Sequence, residues 1–159
     1  MPDSLLKNFV PRLFLWLNLS AFVLFSLIMF LWPLKKRKLL SDSKLLGKWG
    51  EKHSEKLLRK KGLKNLTRNF TCKTGEIDLV MVANDGTIIF VEVKTRADES
   101  FGPVEDVITS VKKTRLYRAA RHFLTVNNIE DRPLRFDVVA VLLGETGPVT
   151  RHYENAFTP

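Results

Sequence analysis

The sequence predicts an α/β domain, a mixed β-sheet flanked by helices, preceded by a single transmembrane helix. Three observations carry that expectation. Asn84-Asp85-Gly86 separates two apolar runs, EIDLVMVA at 76–83 and TIIFVEVKT at 87–95, as a hairpin turn separates strands. Stretches with helical spacing of apolar residues lie on both sides of that hairpin. Near the N-terminus, residues 13–32 carry no charge, and a helix of that length spans about 30 Å, the thickness of a bilayer's hydrocarbon core.

The apolar segment comes first in the chain. Only Asn18, Ser20 and Ser26 interrupt it, and Trp16 and Trp32 stand near its ends, where indoles favour the membrane interface. Lys35, Lys36, Arg37 and Lys38 follow Pro33. The positive-inside rule then places the N-terminus outside and the rest in the cytoplasm, as a single-pass protein of the cytoplasmic (inner) membrane. A cleavable signal peptide fits less well, because the stretch is too long and no small-x-small site follows it. Initiation at Met29 would delete the anchor. The expected organisation is an anchor at 1–34, a basic linker at 35–42 and one folded domain at 43–159.

Within that domain, Ser41 or Ser43 caps a helix running to about Lys61, striped by Leu45, Leu46, Trp49, Leu57 and Leu58, with Gly62 as its stop. LKNLTRNF at 63–70 reads as a strand, then come the two hairpin strands and a loop at 97–106. Ile108, Val111, Leu116, Ala119, Ala120, Phe123 and Leu124 follow helical spacing to about Val126. LRFDVVAVLL at 134–143 is a buried strand and VTRHY at 149–153 a short edge strand. The expected order is α-β-β-β-α-β-β.

Net charge is +9 over 159 residues, a balance that suits a polyanion, nucleic acid or an anionic membrane surface. Residues 35–73 hold 14 Lys and Arg against Asp42, Glu51 and Glu55, whereas residues 74–159 hold 10 basic against 13 acidic side chains. Anionic phospholipid explains the run at 35–38 but explains Lys56, Arg59, Lys60, Lys61 and Lys64 less well. A single cysteine, Cys72, excludes an intrachain disulfide, and the three histidines match no metal-ligand spacing.

The chemistry is concentrated in the hairpin. Glu92 and Lys94 interrupt the most apolar strand, and buried charges are costly unless compensated. Whether they meet other charges depends on register. With a two-residue loop, paired residue numbers sum to 171 and Asp78 opposes Val93. With a three-residue loop and Gly86 in a left-handed bulge, the sum is 170, Asp78 opposes Glu92 and Glu76 opposes Lys94. The second register gathers Glu76, Asp78, Glu92 and Lys94 on one face. Adjacent carboxylates repel unless one is protonated or a hard cation such as Mg²⁺ or Mn²⁺ binds between them. An isolated Glu-x-Lys is more often a structural pair on a half-exposed strand.

GEIDLV at 75–80, FVEVKTR at 90–96 and RFDVV at 135–139, with GKWGE at 47–51, RNF at 68–70 and Lys112 through Leu116, resemble the YraN family of bacterial proteins. The resemblance covers roughly residues 43–157. It implies a restriction-endonuclease-like fold with a PD-(D/E)xK site, and hence Mg²⁺- or Mn²⁺-dependent hydrolysis of DNA phosphodiesters. By that resemblance Asp78, Glu92 and the Val93 carbonyl would bind the metal, Lys94 would orient the attacking water or stabilise the phosphorane, and Glu51 would assist from the first helix. Ile77 stands where many relatives have proline. Glu76 is a supporting residue or simply a partner for Lys94. Arg68, Arg96, Lys112, Lys113 and Arg115 are candidate nucleic-acid contacts, although a solvated helix face explains the last three equally well. Asp137 is expected to pair structurally with Arg135.

The expected function is therefore a membrane-anchored, metal-dependent endonuclease acting on DNA, branched DNA included, as a possible homodimer because two strands must be cut. The alternative is a nucleic-acid-binding module of the same fold without turnover. A lipid-facing scaffold is a third reading.

Overall fold

The structure is a computed structural model that describes residues 30–97 and 108–158. Its elements run α1 (Ser43–Lys60), β1 (Lys64–Cys72), β2 (Gly75–Val82), β3 (Ile88–Arg96), α2 (Ser110–Val126), β4 (Leu134–Leu143) and β5 (Pro148–Tyr153). The α/β class and the element order match the expectation. The loop expected at 97–106 lies, after Ala97, outside the described residues.

Local chemistry sets the helix ends. The N-cap of α1 is Asp42, between the two serines expected there. Its Oδ1 accepts from the Lys44 and Leu45 N–H groups at 2.9 and 3.0 Å, satisfying donors the helix itself cannot. Gly62 follows the last turn at φ +91°, a left-handed conformation that glycine adopts without strain. Thr109 caps α2 by accepting from Lys112 N–H.

The five strands form one sheet in sequence order. All neighbours are antiparallel except β3 and β4, which run parallel and are joined through α2. Alternation along the strands builds two cores. Ile88 and Phe90 of β3 and Phe136, Val138 and Ala140 of β4 pack against Leu116, Ala119, Ala120 and Phe123 of α2. Ile89 and Val91, with Leu79, Met81, Val139 and Val141, pack against Leu58 and the flanking Trp49 and Leu57 of α1. β3 and β4 are covered on both faces, which is why they read as continuous apolar runs. Each fully buried large side chain contributes about 1.5–3 kcal/mol.

The membrane assignment is corrected. Residues 13–29 of the expected span lie outside the described residues. Its last three residues, 30–32, begin helical backbone that continues through Pro33 to residue 40. Trp32, expected at a bilayer interface, is only 6% exposed. It clusters with Leu39 and Leu143, lies 6.1 Å from the Trp49 ring and donates its indole N–H to Gly144 O at 2.9 Å. Two of the basic residues read as a juxtamembrane linker also turn onto the domain. Lys36 Nζ reaches Gly144 O at 3.4 Å, and Lys35 lies over the Trp49 ring. No helix among the described residues is long and apolar enough to cross a membrane. The expectation of a single-pass inner-membrane protein is withdrawn on these grounds.

Candidate active site at the β2–β3 split

The hairpin takes the 170 register. Leu79 pairs with Val91, Val80 with Phe90, Met81 with Ile89 and Val82 with Ile88. The loop is closed by Ala83 N–H donating to Thr87 O at 3.0 Å and Gly86 N–H donating to Ala83 O at 3.1 Å. Gly86 sits at φ +86°, as the three-residue loop requires. Asp85 Oδ1 also accepts from Thr87 N–H at 3.0 Å.

Beyond Leu79 and Val91 the ladder ends. Hydrogen-bonded pairs alternate along an antiparallel ladder, so the next N–H to be matched on β3 belongs to Val93. It donates to Asp78 Oδ2 at 2.7 Å. A side chain thus replaces a main-chain acceptor where the two strands part, and Asp78 is brought to Glu92. Because the N–H and C=O of one residue point to the same neighbour in such a strand, the Val93 carbonyl shares that parted edge.

Glu92 is 1% exposed on the face shared with Phe90 and α2. Its Oε1 lies 2.7 Å from Lys94 Nζ and its Oε2 3.2 Å from Lys112 Nζ. The Lys112 ammonium is near enough to attract but is not aligned to donate, so Oε2 is buried without a hydrogen-bond partner. Lys112 also meets Glu76 Oε1 at 3.1 Å. Burial works against its charge, but Glu92 and Glu76 outweigh it and hold its pKa above the ordinary value.

Asp78 responds to the same crowding. Burial first, and then the Glu92 charge, push its pKa up from 3.8 to about 7, against the Val93 N–H bond and Lys112; Glu51 adds a smaller push. Glu51 reaches the region because α1 lies hard against β3. A Cβ on Gly50 would collide with Thr95 Oγ1, so only glycine allows this approach one residue before Glu51.

The remaining expected residues are placed differently. Glu76 is paired with Lys112 and not with Lys94. Arg68 is gripped by both oxygens of Glu55, at 2.7 Å each, a contact that holds the Glu55 carboxyl below its usual range. Lys113 lies over the Phe157 ring at 5.6 Å. Arg115 lines an open hollow of about 450 Å³ with Glu76 and Lys112, its backbone pressed against Gly75. Arg96 is exposed at the end of β3. Lys112, expected only to touch phosphate, is the residue whose position sequence spacing missed. Its distance from Glu92 in the chain leaves no local signal for their contact.

Among the described residues no three His, Cys, Asp or Glu side chains gather closely enough to hold a metal between them. The two carboxylates, one with an unpartnered buried oxygen, and a main-chain carbonyl fit a hard ion that retains waters in its shell, as Mg²⁺ does. They do not fit the Cys- and His-rich set of a structural zinc site.

A family model described as Uncharacterised protein family UPF0102 matches residues 50–141. The chain belongs to the UPF0102 family. This is the family that the YraN-like motifs resemble, and its matched span contains Glu51, Asp78, Glu92, Lys94 and Lys112. The chain is 43% identical over 116 residues to a UPF0102 protein of Pelotomaculum thermopropionicum, covering 72% of this chain and 96% of that one. It is 40% identical over 118 residues to one from Pelobacter propionicus, covering 73% and 84%. A third, from Cupriavidus taiwanensis, is 51% identical over 85 residues, covering 53% and 63%.

Proposed function

We propose that this UPF0102 member hydrolyses DNA phosphodiester bonds with Mg²⁺ or Mn²⁺. One observation carries the reading: a buried carboxylate oxygen of Glu92 has no hydrogen-bond partner beside a second carboxylate, Asp78, whose pKa is pushed up to about 7. A site holding that arrangement for stability alone would satisfy the oxygen; a site meant for a cation leaves it open.

Asp78, Glu92 and the Val93 carbonyl would hold the ion, which when bound polarises a phosphoryl oxygen and acidifies a water. Lys94, 2.7 Å from Glu92, donates a hydrogen bond to the attacking water or to the charge growing on phosphorus. Lys112 offsets the Glu92 charge and supplies a second ammonium beside the incoming phosphate. Glu51 takes up or relays a proton from the α1 side. Water adds to phosphorus, one P–O ester bond breaks, and the products are a phosphate monoester end and a hydroxyl end.

A second reading, a binding module without turnover, draws on a specific observation. Lys94 and Lys112 already flank Glu92, so its charge is balanced without a cation. A cleavage screen over linear, flapped and four-way-junction DNA with Mg²⁺ and Mn²⁺ separates the two. Metal-dependent cutting that disappears in Asp78→Ala and Lys94→Ala supports hydrolysis. Equal cutting by wild type and both variants identifies a contaminant, and salt-sensitive binding with no cutting favours the module.

A further inference from the structure

Three of the five cations expected to contact nucleic acid are engaged by other side chains: Arg68 by Glu55, Lys112 by Glu76 and Glu92, and Lys113 by the Phe157 ring. Another set is not. Lys44, Lys48, Lys52, Lys56 and Lys60 recur at every fourth residue of α1. All five are exposed, and none forms an ion pair with another described residue.

At 1.5 Å per residue this row advances about 6 Å per lysine and about 24 Å in all. It turns about 40° per step, and so winds over the outward half of the helix while Gly50, Ser54 and Leu58 are buried on the inward half. Like charges four residues apart destabilise a helix, and the two acids of α1 do little to relieve them. Glu55 is buried and held chiefly by Arg68 and Arg59, and although Lys48 and Lys52 share a hollow with Glu51 and Glu55, two acids stand against five ammonium groups. At the C-terminal end Lys56 and Lys60, with His53, Leu57 and Lys61, line an open hollow of about 340 Å³ that has no acidic side chain in its wall. Of these Lys61 is tied to Glu154.

We propose that the lysine row of α1 is the track on which the phosphate backbone of duplex DNA lies, with α2 contributing less. The inference rests on the nucleic-acid part of the reading above and not on turnover. A lipid surface fits the row poorly. A helix that lies in a bilayer interface needs an exposed apolar face, whereas none of the exposed large hydrophobic residues belongs to α1.

Fluorescence anisotropy of the full chain with a short labelled duplex, in EDTA and over a KCl series, tests the assignment. Lys48→Gln, Lys52→Gln and Lys56→Gln together keep good helix formers at exposed positions, and circular dichroism verifies the fold. The slope of log K against log salt should fall by about 2.7, at about 0.9 per lost phosphate contact. Lys113→Gln with Arg115→Gln should change it less than half as much. An unchanged slope in the α1 variant overturns the proposal. So does an equal loss in the α2 variant, no duplex binding by wild type, or lysine-dependent binding of phosphatidylglycerol vesicles in preference to DNA. Cutting is scored separately. Ridge-dependent binding without cutting defeats hydrolysis and leaves the track standing, whereas cutting and binding indifferent to the ridge defeat only the track.

Discussion

Asp137 in β4 and Glu92 in β3 are buried carboxylates on adjacent strands of one sheet, and each faces a different environment. Asp137 accepts from Arg135 Nε and Nη2 at 2.9 Å each, from His152 Nε2 at 2.8 Å and from Asn155 N–H at 3.0 Å. Burial pushes its pKa up, but these hydrogen bonds prevail and hold the carboxyl below the ordinary range. Glu92 has lysines on two sides, one oxygen without a hydrogen bond, and Asp78 beside it with its pKa raised. The contrast separates two uses of a buried charge. Full satisfaction ties β4 to β5 and the turn after it; partial satisfaction leaves a place for something to bind.

Breaking the satisfied end of that comparison should have the largest effect on folding. Asp137→Ala removes the buried acceptor of Arg135, His152 and Asn155 N–H and leaves the first two only the half-exposed Glu154, and urea unfolding should show a loss of about 3 kcal/mol. The frustrated end should respond in the opposite sense. Asp78 has a folded pKa of about 7 against 3.8 unfolded, so the folded state holds a proton that the unfolded chain releases. Its stabilising effect is complete below 3.8 and is lost as pH rises through 7. Asp78→Asn should therefore gain about 1–2 kcal/mol in thermal melts at pH 8 without metal, discounted from the full shift because water softens the site. By pH 4 the gain should vanish.

Smaller effects sharpen the contrast. Mg²⁺ at about five times its dissociation constant should stabilise the wild type by about 1 kcal/mol at pH 8. The gain should shrink toward pH 6, where the ion must displace a proton, and disappear in Asp78→Asn. On the acid side the depressed Asp137 pKa acts with the opposite sign. Its contribution is present above the ordinary carboxylate range and is lost as pH falls through the folded value. Asp137→Asn should flatten the acid limb of the stability curve by about 1 kcal/mol without altering the limb near pH 7.

Much of this was legible in the sequence because it is local. Three loop residues fix the hairpin register, and periodicity marks both helices and the strands buried on two faces. The Arg135–Asp137 pair follows from side chains two apart on one strand face. What escaped depends on distant contacts. Trp32 reads as an interfacial anchor because hydropathy carries no information about Gly144 or Leu143. Lys112 reaches Glu92 only because α2 returns across the β3 face, and it takes Glu76 from the Lys94 that strand pairing alone assigns to it. The coupling of Asp78 to the Val93 N–H requires the ladder to stop, which no pattern of residue types announces.

The turn at 84–86 carries a responsibility out of proportion to its exposed position. It begins six residues from Asp78, about 20 Å along the strand, yet its length works as a ruler for the far end. Closing the same sequence through a two-residue loop, with Asn84 against Thr87, would leave every side chain of the site in the protein and still aim Asp78 and Glu92 at opposite sides of the sheet.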